Sequence, residues 1–146
     1  MTRSYLVFDV GRYRELAEEL VKPEDIVVEV GAAAGDTTVR LARNARLVIA
    51  FEKSEEMFER LRERVRDLDN VIVLCEDGFE LGEVLKRTER VDAVFIDVGG
   101  GAQPRLALAL WEAYYSRFRP RVIVVRNRRL CRLIETVERV ECDEEV

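Results

Sequence analysis

Two features of this sequence have the residue types and the spacing to hold a small organic ligand. One is the stretch Glu29-Val30-Gly31-Ala32-Ala33-Ala34-Gly35, which closes a run of branched apolar residues. Gly31 and Gly35 permit backbone dihedrals closed to other residues and let a ligand approach the main chain, while the alanines keep side chains out of its way. The other is Glu52, which ends the next apolar run about 20 residues after the glycine turn, where an acid accepts hydrogen bonds from both hydroxyls of a ribose. Separately, each has an ordinary explanation, a tightly packed turn or a solvated strand end. Together they describe a nucleoside site.

Charge at the start of the following helix selects among nucleosides. A dinucleotide enzyme places its pyrophosphate there and needs a further glycine one position after Gly35. Asp36 stands in that place. Read as an N-cap, Asp36 occupies the free N–H groups and repels a phosphate, yet it suits a ligand bearing a sulfonium and an ammonium group. S-adenosyl-L-methionine is that ligand. An NAD-dependent oxidoreductase is the alternative that Ala33 and Asp36 disfavour.

Residues so spaced need a scaffold, and the chain supplies a regular one. Short runs rich in Val and Ile at 26–30, 47–51, 71–75, 91–96 and 122–125 read as strands buried on both faces. Between them Phe58, Leu61, Val65 and Leu68, then Leu106, Leu110, Ala113 and Tyr114, recur at helical spacing and mark crossover helices. Ser54, with Glu55 and Glu56 behind it, caps the first of these. Ahead of the first run, Tyr13, Leu16, Ala17 and Leu20 stripe one more helix, which Pro23 ends. The expected fold is α/β, a doubly wound, mostly parallel sheet with helices on both faces, in a single domain over residues 1–146.

At this point Glu29-x-Gly31-x-Ala33-x-Gly35 resembles the first motif of class I S-adenosylmethionine-dependent methyltransferases, and Phe51-Glu52-Lys53 resembles their second. Asp77-Gly78-Phe79 is similar to the family's adenine-contacting segment, and Phe95-Ile96-Asp97 to its fourth motif, at the rim of the active site. The likeness runs from about residue 24 to 127. It implies that Glu29, Gly31, Ala33 and Gly35 hold the methionine end, Glu52 with Lys53 the ribose, Asp77, Gly78 and Phe79 the adenine, and that Asp97 faces the transferred methyl. Methyl transfer from an activated cofactor depends mainly on alignment, and a base is needed only where the acceptor loses a proton. Asp97 is the candidate for that base. The acceptor expected is a small molecule or RNA, and the alternative function is a cofactor-binding but inactive scaffold or partner subunit.

Two branches of that family share further residues. Thr37, Thr38, Asp97 and Asn127 resemble the metal-dependent catechol and caffeoyl-type O-methyltransferases, but Arg126 stands where a second metal-binding aspartate belongs, so no metal is expected. Gly99-Gly100-Gly101 resembles a stretch of the precorrin decarboxylating methyltransferases and offers backbone N–H groups to an anion, or simply a flexible loop.

Composition narrows the setting. With 146 residues, 48% of them hydrophobic, the chain can bury one sizeable core. No apolar run approaches the roughly 20 residues that span a bilayer and no secretory leader is evident, so a cytoplasmic protein without a membrane partner is expected. Cys75, Cys131 and Cys142 lack metal-ligand spacing, and histidine is absent. Abundant Arg and Glu with a single Gln match the bias of proteins from hot environments. A net charge of −5 argues against general coating of nucleic acid but leaves room for a local basic patch. Arginines at 117, 119, 121, 126, 128, 129 and 132 crowd the end of the chain, where they form either a landing patch for phosphate or an ion-paired surface. After the fifth run only about 20 residues remain, enough for a helix over Leu130, Leu133, Ile134 and Val137 and a stub of strand at 140–142. The fifth strand would then be an open sheet edge, which a second copy in a homodimer would cover.

Overall fold

A computed structural model describes residues 1–141. Its chain order is β1 (Arg3–Val7), α1 (Val10–Leu20), β2 (Ile26–Val30), α2 (Asp36–Asn44), β3 (Leu47–Phe51), α3 (Glu55–Val65), β4 (Val71–Leu74), α4 (Leu81–Leu85), β5 (Ala93–Ile96), α5 (Pro104–Phe118), β6 (Val122–Arg126) and α6 (Arg128–Thr136). All strand pairs are parallel, in the order β1-β6-β5-β2-β3-β4. From β2 the chain winds outward through β3 and β4, then returns to lay β5 on the other side of β2. That reversal opens a crevice at the carboxyl ends of β2 and β5, the place where open α/β sheets receive ligands.

Strand alternation sends side chains to two cores. Val27, Val48, Ala50, Phe95 and Val124 pack under Tyr13, Leu16 and Ala17 of α1, Leu41 of α2 and Leu61 of α3. Val28, Ile49, Phe51, Val94 and Ile123 pack under Val84 of α4, Ala107, Leu110 and Tyr114 of α5 and Leu130 of α6. Both faces of the central strands are therefore apolar, which explains their unbroken Val/Ile runs. Helix starts follow local chemistry: Asp9 caps α1 through Arg12 N–H, Ser54 caps α3 through Met57 N–H, and Asn127 caps α6 through Leu130 N–H. At the opposite, amino edge of the sheet Asp25 accepts two bonds from Arg121, at 2.6 and 2.7 Å. Burial alone would raise its carboxyl, but the Arg121 guanidinium and the Lys22 N–H outweigh that and hold it below the usual value.

The sheet departs from the sequence reading at its edge. Residues 3–7 form a strand, and β1 pairs along β6 with Arg3 opposite Val122 and Val7 opposite Arg126. The chain's own first strand covers the edge that had suggested a second copy, so the reason for expecting a homodimer falls away. Val140 and Glu141 belong to no strand, and Cys142 lies outside the described residues. No helix among the described residues is long and apolar enough to cross a membrane.

Candidate functional site

The turn after β2 is held in place by its neighbours. Gly31 and Ala32 N–H groups both donate to Phe51 O at 3.0 Å, and the turn curls over the end of β3. Gly31 has φ +87, and a β-carbon there would lie 2.0 Å from Asp97 O, so no other residue fits. Glu52, leaving β3, turns toward the same bend. One of its oxygens accepts from Ala33 N–H at 2.7 Å and the other from Ser54 N–H at 2.8 Å. Each oxygen keeps a second lone pair. The small-residue bend and the carboxylate on the next strand thus converge, as a ribose-binding pair must.

Beyond β4, Asp77 accepts from Phe79 N–H at 2.9 Å and lies 3.9 Å from Lys53 Nζ. A β-carbon on Gly78 would come within 2.4 Å of Val30, and Tyr114 O–H donates to Gly78 O at 2.6 Å, which presses this turn against β2. These turns enclose a cleft of about 300 Å³, within the range of small-ligand sites. Gly31, Ala33, Glu52, Lys53, Asp77, Gly78 and Asp97 all line it. Of the other residues picked out from sequence, Glu29 is buried beneath the turn, Gly35 packs on Leu61 and Arg64 of α3, and Phe79 is exposed outside the cleft.

Charge in the cleft is lopsided. Among the described residues Glu52, Glu76, Asp77 and Asp97 line it with one cation, Lys53, and Arg126 pairs with Asp97 alone. Such a lining repels a pyrophosphate and suits a ligand carrying positive charge. This corrects the argument drawn from Asp36. Gly35, in the left-handed conformation, is the N-cap of α2 and offers no side-chain cap, while Asp36 is the first helical residue. The Asp36 carboxylate leans away onto Arg64 at 2.8 Å and Arg14 at 3.5 Å. The acids that discriminate between ligands are those of the cleft. Lone pairs left on Glu52, two close-packed glycine turns and an acidic lining fit S-adenosylmethionine, an adenosine whose other end is cationic.

Two carboxyls near the bend have altered acidity. Burial pushes Glu29 from 4.5 up to about 7, the Thr38 hydroxyl donating to it pulls the other way, and the charges of Asp97 and Glu52 add to the rise. Asp97 is raised by burial and held back by Arg126. Arg126 Nη1 lies 3.1 and 3.3 Å from the two Asp97 oxygens. Ile96 and Val125 are paired in register, so the next residues, Asp97 and Arg126, leave adjacent strands side by side. Read as a sequence, Arg126 was a missing metal ligand and one member of an arginine cluster. Its signal as a partner was present, because a cation ends one apolar run where an acid ends its neighbour. Of the remaining lining residues, Leu106 and Leu110 were read only as a helical stripe, and Glu76, Val98 and Gln103 carried no sequence signal.

The sequence model of the ribosomal RNA adenine dimethylase family matches residues 14–94, more than half of the chain. The chain belongs to the ribosomal RNA adenine dimethylase family. Membership places it among the class I S-adenosylmethionine-dependent methyltransferases, a branch that neither the catechol-type nor the precorrin likeness had pointed to. It is 43% identical over 74 residues to ribosomal RNA small subunit methyltransferase A of Thermotoga petrophila, covering 47% of this chain and 28% of the relative. To the enzyme of that name in Moorella thermoacetica it is 32% identical over 114 residues, covering 77% of this chain and 38% of the relative. The chain thus spans well under half the length of these relatives. A ribosomal RNA methylase from Streptococcus thermophilus has the same fold, with a TM-score of 0.65 at 19% identity over 88% of this chain and 80% of that one. The dimethylase match takes in the ends of β2, β3 and β4 and stops inside β5, short of Asp97.

Proposed function

We propose that this chain transfers a methyl group from S-adenosylmethionine to RNA in the cytoplasm. The observation that carries the reading is the meeting of Glu52 with the Gly31–Gly35 turn in an acid-rich cleft at the switch point of the sheet. Names of the relatives, which are ribosomal RNA methyltransferases, support RNA as the acceptor.

In this account Glu52 and Lys53 hold the ribose, and Asp77 and Gly78 bound the adenine, with Phe79 contributing only the N–H that fixes Asp77. Gly31 and Ala33 receive the methionine end, with Gly35 setting the turn and Glu29 bracing it from below through Thr38. When bound, the cofactor supplies a methyl already activated by its sulfonium, and the protein's share is alignment and exclusion of water. Asp97 lies where the acceptor must approach. Its raised pKa makes it a better proton acceptor than an exposed aspartate, and Arg126 keeps its carboxylate oriented. A nucleophile with an N–H or O–H would donate to Asp97 while it attacks in line.

A second reading, a cofactor-binding subunit without activity, is favoured by that same ion pair, since Arg126 already occupies the candidate base. Titration calorimetry with S-adenosylhomocysteine, followed by transfer of labelled methyl to transcribed small-subunit ribosomal RNA, separates the two. Micromolar binding with RNA labelling supports the enzyme, and binding with no labelling of any RNA supports the subunit. Binding of NAD in place of the homocysteine would overturn both.

A further inference from the structure

Most arginines of this protein sit against carboxylates. Arg12 holds Glu15 and Glu19, Arg60 holds Glu56, Arg62 holds Glu59, Arg66 holds Glu63 and Arg64 holds Asp36. The arginine-rich end of the chain divides differently. Arg117, Arg119 and Arg121 precede β6 and lie at the amino edge of the sheet, away from the cleft, with Arg121 bound to Asp25 and Arg119 over the Tyr115 ring. Arg128, Arg129 and Arg132 follow β6, at the carboxyl edge, where Arg105 joins them from the start of α5. None of these four forms an ion pair among the described residues. Among the described residues, then, these four differ from the ion-paired surface that Arg121 joins.

Three of the four, Arg105, Arg128 and Arg129, are also placed against the preference of their helices. The first turn of a helix is its positive end and favours acids, as α3 shows with Glu55 and Glu56 there and Arg62 and Arg64 in its last turn. In α6 the order is inverted, with Arg128 and Arg129 opening the helix, no acid in its first turn and no base in its last. Arg105 likewise opens α5, whose first turn has no acid. Unbalanced cations at two neighbouring helix starts, in a chain of net charge −5, are disfavoured unless an anion arrives to meet them.

Their position beside the cleft says what that anion serves. Arg105 and Arg129 line a recess with Ala102, Gln103, Pro104 and Leu106, and Gln103 and Leu106 also line the cofactor cleft. Arg128 donates to Gly100 O at 2.9 Å, on the lip of that cleft. A negative cleft for a cationic cofactor thus opens directly into a positive recess.

We propose that the recess of Arg105 and Arg129, with Arg128 on its lip and Arg132 one turn further along α6, takes the phosphodiester backbone of a single-stranded RNA segment, whose target nucleotide enters the cleft past Gln103 and Gly100. This rests on the reading of the cleft as an RNA methyltransferase site. Guanidiniums spread over two helices match an anion repeated along a chain better than one carboxylate of a small molecule. Among the described residues the only aromatic side chain lining cleft or recess is Phe51, itself buried, so affinity comes from charge, not base stacking.

The test is fluorescence anisotropy of a labelled single-stranded RNA, titrated across potassium chloride from about 50 to about 300 mM with S-adenosylhomocysteine present. Three proteins are compared: the wild type, the triple variant Arg105→Gln, Arg129→Gln, Arg132→Gln, and a control with Arg60→Gln, Arg62→Gln, Arg66→Gln on the paired surface. Loss of three phosphate contacts should flatten the slope of log affinity against log salt by about 2 and weaken binding at least about tenfold. Affinity for the homocysteine should stay unchanged, and the control should bind RNA as the wild type does. RNA binding equal in wild type and triple variant, or equally weakened in both variants, overturns the recess even where RNA is methylated. Displacement by polyglutamate as effective as by unlabelled RNA overturns it in favour of an acidic polypeptide. A wild type that binds the homocysteine but no RNA at any salt overturns the RNA reading itself, and the recess with it.

Discussion

The carboxyl edge of this sheet has two halves that hold their acids in opposite ways. At the ends of β2, β3 and β4 the acids are fixed by backbone: Glu52 by the N–H groups of Ala33 and Ser54, Asp77 by that of Phe79. At the ends of β5 and β6 Asp97 is fixed by a side chain, the Arg126 guanidinium, and Arg128 lies on the lip of the same cleft. Backbone donors cannot move without refolding the turn, so the first half is a rigid mould. An ion pair exchanges partners when another anion or hydrogen-bond donor arrives, so the second half can be rearranged by an acceptor. The dimethylase family match follows the mould and stops before Asp97.

Breaking the mould should have the largest effect. Gly31→Ala places a β-carbon 2.0 Å from Asp97 O in a left-handed conformation, and should cost about 4 kcal/mol or prevent folding. Urea unfolding measures it, and a loss under about 1 kcal/mol would mean that the turn yields.

The ion pair gives the next effect. Arg126→Met leaves Asp97 largely buried and alone, at a cost of about 3 kcal/mol, the lower end for a broken buried pair because water still reaches its edge. Without the guanidinium, burial raises the Asp97 carboxyl further above its unfolded value. A raised value adds stability at low pH that is lost as pH rises through it, so the defect should be larger at about pH 8 than at about pH 5. Adding Asp97→Asn to Arg126→Met should recover most of the loss.

Glu29 lies between the halves and should give the smallest effect. Its carboxyl is raised from 4.5 to about 7, so its contribution to stability is complete below pH 4.5 and is lost as pH climbs through about 7. Glu29→Gln should therefore gain on the wild type between about pH 5 and about pH 8 by about 2 kcal/mol, less than the whole shift because a buried amide also needs partners. A parallel pair of stability curves would show that Glu29 titrates normally.

The two halves also differ in how much of them was legible in the sequence. Gly31, Gly35 and Glu52 could be read because a left-handed turn and an acid at a strand end leave fixed residue types at fixed spacing. Strands β2 and β3 matched their apolar runs residue for residue, since both faces are buried. Strand β1 was missed because it is an exposed edge, with Arg3 and Ser4 in water, and only its pairing with β6 makes it a strand. Asp36 was misplaced by one residue because a left-handed glycine can begin a helix without any capping side chain. The arginine cluster was read as one patch because its members are close in sequence. Strand β6 runs through it, and five residues of strand separate Arg121 from the far group by about 17 Å.

The central claim is that Glu52 touches the ribose of an adenosine cofactor, and the discriminating measurement is calorimetric. S-adenosylhomocysteine and its 2′-deoxy analogue should be titrated into the wild type and into Glu52→Ala, with melting curves to establish that both are folded. A direct contact predicts that the wild type binds the deoxy analogue at least about tenfold more weakly, about 1.4 kcal/mol, and that the variant barely distinguishes the two. The same discrimination in both proteins would contradict the account, because the hydroxyl would then be recognised by something other than Glu52.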